Sequence, residues 1–198
     1  KPVPYYGMLD NKIGYIKLNS FTENCAKDVA EALKELKLKN NLSGLVLDLR
    51  GNPGGLLHEA VNTSNIFIPR GQEIVSTKGR YKDADRPYKA VNEAIDTELP
   101  LAVLVNSGSA SASEIVSGSL QDLDRAVVIG QRTFGKGLVQ TTRPLSYNSQ
   151  LKITTSKYYI PSGRCIQALH YTHRNANGSV RKISDSLLSE FKTKAARQ

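Results

Sequence analysis

The sequence predicts an α/β fold, and three observations support this class. Segments with strand-like and helix-like hydrophobic patterns alternate along the 198 residues. Two near-continuous apolar runs, 44–50 and 101–105, have the composition of strands that are covered on both faces. A glycine-containing turn and then a helix-like segment follow each of these runs. There is no obvious linker, so we expect one domain with a variable tail near its end.

The first half of the chain carries the clearest helical and strand periodicities. Polar and apolar residues alternate at its first predicted strand, and apolar residues recur at helical spacing in its first predicted helix. In chain order we expect a strand at 12–18, a helix at 26–38, a strand at 44–50, a sharp turn at 51–55 and a helix at 56–68. Residues 74–98 are mixed in charge and poor in apolar residues, which predicts a loop with a short strand.

The second half returns to the same alternation. Alternating β-branched residues at 151–159 are typical of a strand. In chain order we expect a strand at 101–105, a helix at 111–123, strands at 126–129, 138–142 and 151–159, and a short helix at 185–194.

Composition excludes several classes of protein. Hydrophobic residues make up 39% and charged residues 23% of the chain, as in ordinary globular domains. No window approaches 18 consecutive apolar residues, so we expect no membrane span. Cys25 and Cys165 are too few for a disulfide framework or a zinc set, and His170 and His173 lie in a polar segment. We therefore expect no metal and no cofactor.

The charge of +9 is unevenly distributed. Ten of the 27 basic residues lie between Asp124 and Asp185, where there is no acidic residue. The rest of the chain has 17 basic and 18 acidic residues and is nearly neutral. Such an excess is compatible with nucleic-acid binding, but aromatic residues are few and no recognition motif is present. A carboxylate-free surrounding also favours the neutral form of a lysine.

The segment 106–114 contains four serines separated only by glycine or alanine, between a predicted strand and a predicted helix. The first turn of a helix has unpaired N–H groups and a positive dipole end. A serine placed there can attack a carbonyl while a neighbouring amide stabilises the oxyanion. Helix capping alone also explains serines at this position, so both interpretations stay open.

Lys136 lies between two glycines and is the candidate base for such a serine, because there is no G-x-S-x-G elbow and no well-placed histidine. An exposed lysine in a turn is the alternative. Residues 130–136 also match G-x-x-x-x-G-K, yet Gly137 replaces the required Ser or Thr, and a strand rather than a helix is predicted to follow. Nucleotide binding is therefore not expected.

The turn at 51–55 contains three glycines in five residues, directly after a predicted buried strand. Glycines at a strand end allow backbone N–H groups to face a ligand. A tight turn with no ligand is the alternative.

Together these segments resemble the carboxy-terminal processing proteases, also called tail-specific proteases, which use a serine–lysine dyad. The similarity covers about residues 12–166. The matching stretches are Ile13–Ile16 with Phe21-Thr22, Leu47–Gly55, Leu99–Asn106, Gly108–Ile115, Gly130 with Thr133–Gln140, and Tyr158–Gly163.

The resemblance implies roles for individual residues. The nucleophile corresponds to Ser111, the base to Lys136, and the residue that orients the lysine to Gln140. The oxyanion donors correspond to the amide of Ala112 and to Gly54 or Gly55. The supporting positions are Glu114, Asp122 and Thr133. Contact between Lys136 and Gln140 requires a bend at Gly135 or Gly137, because four residues of straight strand span about 13 Å.

The resemblance further implies a crotonase/Clp-protease-like core of stacked strand–strand–helix units and a bacterial periplasmic or cell-envelope location. We expect a single catalytic domain over 1–198, with its core at 12–166 and a variable tail at 167–198. Family members usually carry an N-terminal PDZ domain, which we expect to be absent from residues 1–198. The expected function is a serine endopeptidase that acts on proteins or peptides with free C-termini. A non-enzymatic peptide-binding scaffold with an inactive dyad is the alternative, and a homo-oligomer is left open.

Overall fold

The structure is a computed structural model that describes residues 1–9, 12–80 and 85–182, and it confirms the α/β class. In chain order the elements are β1 (Tyr5–Met8), β2 (Ile13–Lys17), α1 (Cys25–Lys39), β3 (Gly44–Asp48), α2 (Leu57–Asn65), β4 (Glu73–Gly79), β5 (Arg86–Lys89), β6 (Leu101–Val105), α3 (Ala112–Asp122), β7 (Val127–Gly130), β8 (Leu138–Pro144), β9 (Gln150–Tyr159), β10 (Leu169–Arg174) and β11 (Val180–Lys182). The helix expected at 185–194 lies outside the described residues.

The first sheet has the strand order β1-β2-β3-β6-β7. Strands β2, β3, β6 and β7 are parallel, and β1 pairs antiparallel with β2 at one edge. The apolar runs of the sequence form the central strands β3 and β6, in which Leu45, Leu47, Leu101 and Val103 are buried. In a parallel sheet all these strands end at the same edge, so the turns after β3 and β6 lie side by side.

The main core lies between this sheet and the helices. Helix α1 buries Val29, Leu33 and Leu36, which recur at helical spacing and share one face. Helix α2 packs against both α1 and α3. Nearly every residue of α3 is buried. The backbone of Gly118 packs against the side chain of Ile160, and a Cβ atom on Gly118 would lie 2.8 Å from it. No helix in the described ranges is both long and apolar enough to cross a membrane.

The second sheet is antiparallel, with the strand order β5-β4-β9-β8. The expectation of a loop with one short strand at 74–98 is wrong, because both β4 and β5 form there. Strand β4 lies inside the sheet and buries Ser76 and Thr77, so its polar residues do not mark exposed positions. Helices α2 and α3 both contact β4, which joins the second sheet to the core.

Candidate active site

The serine-rich segment places Ser111 immediately before α3, at the edge where β3 and β6 end. The backbone of Ser111 has φ 56°, an uncommon value for a residue other than glycine, and the side chain is half-buried. Strain of this kind persists only where surrounding contacts impose it. The neighbouring glycine-rich turn supplies those contacts.

Asn52 joins the glycine-rich turn to the serine segment. Its side-chain oxygen accepts the N–H of Gly54 at 2.9 Å, and its side-chain nitrogen donates to the carbonyl of Leu18 at 2.9 Å. The carbonyl of Asn52 accepts the N–H of Ala110 at 3.0 Å and the hydroxyl of Ser113 at 2.9 Å. Because Asn52 is fully buried, these bonds fix both turns relative to each other.

Gly54 lies against the serine segment, and no larger residue fits there. A Cβ atom on Gly54 would lie 2.6 Å from the carbonyl oxygen of Ala110 and 2.8 Å from the Cβ of Ser111. The amide of Gly54 is already bonded to Asn52. Within the described residues, the amides of Gly55 and Ala112 have no hydrogen-bond partner. These two N–H groups are therefore available to a ligand.

The serines of the segment differ in their environment. The Ser109 hydroxyl is fully buried and donates to the Leu49 carbonyl at 2.8 Å. The Ser113 hydroxyl is also fully buried and donates to the Asn52 carbonyl. Both hydroxyls are therefore occupied by hydrogen bonds to main-chain carbonyls. Ser111, in the middle, bonds to Glu114 through its backbone N–H, whereas its hydroxyl makes no hydrogen bond to another side chain in the described part of the chain. Its hydroxyl is the one of these three that is reachable from solvent.

Glu114 connects the serine segment to the lysine segment. Its carboxylate accepts the backbone N–H of Ser111 at 2.8 Å, of Gly135 at 2.6 Å and of Lys136 at 2.8 Å. Only 5% of Glu114 is exposed. A further main-chain bond runs from the Phe134 N–H to the Ser109 carbonyl at 3.0 Å. The backbones that carry Ser111 and Lys136 are therefore tied to one buried carboxylate.

The two glycines around Lys136 pack against the chain at 166–168. A Cβ atom on Gly135 would lie 2.3 Å from the Cβ of Ala168, and one on Gly137 would lie 2.3 Å from the main-chain nitrogen of Gln167. The Gly137 N–H donates to the buried side chain of Gln167 at 2.9 Å, and the Ala168 N–H donates to the Gly135 carbonyl at 3.1 Å. Residues assigned from the sequence to the variable tail thus help to shape the lysine loop.

The side chain of Lys136 is exposed. Among the described residues this side chain makes no ion pair and no hydrogen bond, and it contacts neither the Ser111 hydroxyl nor the Glu114 carboxylate. Near the lysine, the Glu114 carboxylate bonds only to the backbone N–H groups of Gly135 and Lys136. Gln140 is exposed as well, and its amide donates weakly to Thr154 at 3.4 Å rather than to Lys136.

The other supporting positions lie near α3. Asp122 is buried, accepts the Ser162 N–H at 2.8 Å and pairs with Arg164 at 3.4 Å. It therefore holds the turn that follows β9. Thr133 is half-buried and lines a cavity of about 250 Å³ that Glu114 and Gly135 also line.

A second buried carboxylate anchors the start of the glycine-rich turn. Asp48 accepts hydrogen bonds from Arg50 at 2.7 Å and from Tyr15 at 2.6 Å, and Lys17 lies 3.3 Å away. Burial alone would raise the pKa of Asp48, but the hydrogen bonds from Arg50 and Tyr15 and the charge of Lys17 hold it well below its usual range. Asp48 is therefore ionised wherever the protein is folded at ordinary pH.

Sequence reasoning missed the contributions of Asn52, Asp48 and Gln167. Asn52 follows a glycine and precedes a proline, which indicates a turn but not hydrogen bonds to three distant residues. The spacing of Asp48 and Arg50 is visible in the sequence, but their mutual contact depends on the turn geometry. No local signal marks Gln167.

Comparisons with known proteins show the family of the chain. A sequence profile of Peptidase family S41 matches residues 12–172. The carboxy-terminal-processing protease of Bartonella bacilliformis is 47% identical over 167 residues, which cover 83% of this chain and 38% of that protein. The carboxy-terminal processing protease CtpA of Bacillus subtilis is 39% identical over 162 residues, which cover 82% of this chain and 34% of that protein.

Solved structures show the same similarity. The photosystem II D1 C-terminal processing protease matches with a TM-score of 0.73 and 39% identity over 81% of this chain and 41% of that one. A lipoprotein from Streptococcus agalactiae matches with a TM-score of 0.65 and 20% identity over 82% of this chain and 61% of that one, which concerns the fold alone. The chain spans about a third of the length of the curated relatives named above. The profile match and these identities confirm the resemblance found in the sequence, and the chain belongs to peptidase family S41.

Proposed function

We propose that the chain is the catalytic part of a serine endopeptidase in which Ser111 is the nucleophile and Lys136 is the base. The observation that carries this proposal is the buried carboxylate of Glu114, which accepts the backbone N–H groups of both residues at 2.8 Å. One side chain thereby fixes the relative position of two segments that are 25 residues apart in the sequence. Such positioning is what a two-residue catalytic unit requires.

In the proposed reaction, neutral Lys136 takes the proton from the Ser111 hydroxyl while the oxygen attacks a substrate carbonyl. The protonated lysine then gives that proton to the leaving amine, and the peptide C–N bond breaks. Water next attacks the acyl-enzyme, with Lys136 again accepting a proton. The ester bond to Ser111 breaks, the serine oxygen regains its proton, and the new carboxyl end leaves.

The amides of Ala112 and Gly55 are the proposed oxyanion donors. Ala112 begins α3, where the first N–H groups have no partner within the helix and the dipole favours negative charge. Between the two candidate glycines, Gly55 is favoured, since the amide of Gly54 is already bonded to Asn52. Removal of one such donor typically lowers kcat by about 100-fold or more.

The exposed side chain of Lys136 corresponds to a resting arrangement of the dyad. The backbones on both sides are held by Glu114, so rotation of the lysine side chain is the movement required to meet Ser111. We assign Gln140 the role of receiving the lysine after that rotation, because Gln140 lies in β8, which begins two residues after Lys136. The absence of a carboxylate partner for the lysine in the described residues is consistent with a basic role.

The substrates that we propose are protein or peptide chains cleaved near their C-termini, in the bacterial periplasm or cell envelope. This specificity is suggested by the relatives, which are named carboxy-terminal processing proteases. The acid-free stretch that contains Lys136 would attract an anionic substrate terminus.

The test is cleavage of a denatured protein by the chain and by two pairs of variants. Ser111→Ala and Lys136→Ala should abolish cleavage. Ser107→Ala and Lys34→Ala change the same residue types at exposed positions and should leave it intact. Unchanged cleavage in both site variants would overturn the proposal. Binding of a peptide without any cleavage by the native chain would favour a non-enzymatic scaffold with the same fold.

A further inference from the structure

The hairpin formed by β8 and β9 has an outer part, residues 140–155, that leaves the body of the protein. Every residue in this part is exposed, whereas Ser156 at its base is buried. We call residues 140–155 the ribbon. From its base to its turn it extends about 20 Å, given 3.4 Å per residue in a strand. An isolated two-stranded ribbon is only marginally stable in water, so an exposed one of this length indicates a surface for contact.

One face of the ribbon carries three large apolar side chains. Residues paired across two strands, and alternate residues along one strand, share a face. Arg143 pairs with Leu151, and Thr141 pairs with Ile153, so these four side chains and Leu145 share one face. Leu145, Leu151 and Ile153 are 53%, 45% and 39% exposed. None of these large apolar side chains is covered by the body of the protein.

The turn of the ribbon presents an aromatic side chain in an unfavourable backbone conformation. Tyr147 has φ 57° and is fully exposed. This conformation suits Gly or Asn, and it costs a side chain such as tyrosine about 1 kcal/mol. Hydrogen bonds between Ser146 and Ser149 close the turn around it. Tyr147 gains no burial from the described chain in return.

The charges of the ribbon have one sign. It carries Arg143 and Lys152 and no Asp or Glu. Neither cation forms an ion pair with any residue in the described ranges. Both lie within a few residues of the turn. A partner that contacts Tyr147 and Leu145 therefore also meets two unpaired positive charges.

We propose that the ribbon docks on an anionic lipid surface, with Leu145 and Tyr147 in the interfacial layer and the two cations at the headgroups. Apolar and aromatic side chains flanked by Lys and Arg are the combination that interfacial anchors use. A second copy of the chain is a poorer fit. The apolar face covers about 200 Å², estimated from strand length and spacing, whereas a stable dimer buries about 800 Å² per partner. A substrate is also a poorer fit, since the seven residues of β8 lie between Lys136 and Leu145 and span about 20 Å.

The first experiment uses tryptophan fluorescence, because the chain contains no tryptophan. Tyr147→Trp places a single reporter on the turn, and Leu38→Trp places one on an exposed position of α1 as the matched control. Vesicles of phosphatidylcholine, with and without phosphatidylglycerol, are the two surfaces. The emission of Tyr147→Trp should shift to the blue only with the anionic vesicles, and brominated lipid should quench it. The same response from the control, or none from Tyr147→Trp, would overturn the proposal.

The second experiment measures the partition of charge variants between solution and vesicles by sedimentation. Arg143→Gln and Lys152→Gln should each weaken partition to anionic vesicles about five-fold, while Lys34→Gln, with the same change in net charge, should not. Equal effects of all three variants would mean that net charge alone drives binding, contrary to the proposal. Self-association without lipid that Leu145→Ser abolishes would identify a second copy as the occupant instead. A rise in KM for a peptide substrate in Tyr147→Ser would identify the substrate.

Discussion

Replacing Glu114 by glutamine should separate the positioning of the dyad from the stability of the fold. The carboxylate accepts three N–H groups at 2.6–2.8 Å, two of them on one oxygen. A glutamine has a single acceptor oxygen, so its NH₂ group must face at least one of these donors. The buried N–H left without a partner, together with the loss of charge from the remaining bonds, should cost about 2–4 kcal/mol in the free energy of unfolding.

The same change should lower kcat beyond its effect on stability. The donors belong to the backbones of Ser111, Gly135 and Lys136, so their displacement alters the separation of the dyad. A misplacement of about 1 Å typically lowers kcat by about 100-fold. Urea unfolding measures the free energy of unfolding, and cleavage of a peptide under conditions where the variant is folded measures kcat and KM separately.

Glu59 provides the matched control. It is equally buried, with 4% exposed, and accepts the N–H groups of Asn24 at 3.0 Å and Ala26 at 2.8 Å. Glu59→Gln should therefore lose a comparable free energy of unfolding with little change in kcat. If folded Glu114→Gln retains as much kcat as Glu59→Gln, the idea that Glu114 positions the dyad is wrong.

Three further predictions concern other parts of the chain. Gly54→Ala should lower the free energy of unfolding by about 3 kcal/mol and abolish cleavage, because the added Cβ would meet backbone atoms. Gly51→Ala, at φ 72° with open space around it, should lower the free energy of unfolding by only about 1 kcal/mol, and urea unfolding measures both. The pKa of Asp48 is lowered on folding, so the stability that its carboxylate adds is fully present above about pH 5 and is lost as the pH falls below about 4. In Asp48→Asn this part of the acid-side loss should disappear, while the pH dependence between about pH 5 and pH 7 should stay unchanged, as urea unfolding at a series of pH values would show. Burial raises the pKa of Cys25 to about 12, so iodoacetamide should label Cys165 first, which mass spectrometry of the digested chain would show.

The elements that could be predicted from the sequence are those with strong hydrophobic patterns. The runs at 44–50 and 101–105 are apolar because β3 and β6 are covered on both faces. Strands β1 and β5 were not predicted, since each has four residues at the edge of a sheet and buries few side chains. Short exposed strands form because a neighbour offers hydrogen bonds, which no local pattern records.

The candidate site was predictable as a set of segments but not as a set of contacts. Spacing alone pointed to the serine cluster, and the family resemblance, not the periodicity, selected Ser111. The structure adds a physical difference, since Ser109 and Ser113 bond to main-chain carbonyls of other segments. The three bonds of Glu114 join residues far apart in the chain, and they depend on the meeting of two turns. Tertiary contacts of this kind leave no periodic signal in a sequence.

Ser111 follows the parallel sheet, while Lys136 lies on the segment that leaves β7 of that sheet and enters β8 of the antiparallel one. The two residues of the proposed dyad therefore rest on different layers of the protein, which the hydrogen bonds of Glu114 tie together. Gln167 and Ala168 hold the lysine segment from the side of the second sheet. A substitution that slightly shifts one layer against the other, such as a change at the contact of Gly118 with Ile160, would reduce turnover while both layers remain intact. If the proposed function holds, the catalytic rate will report how well the two layers are aligned.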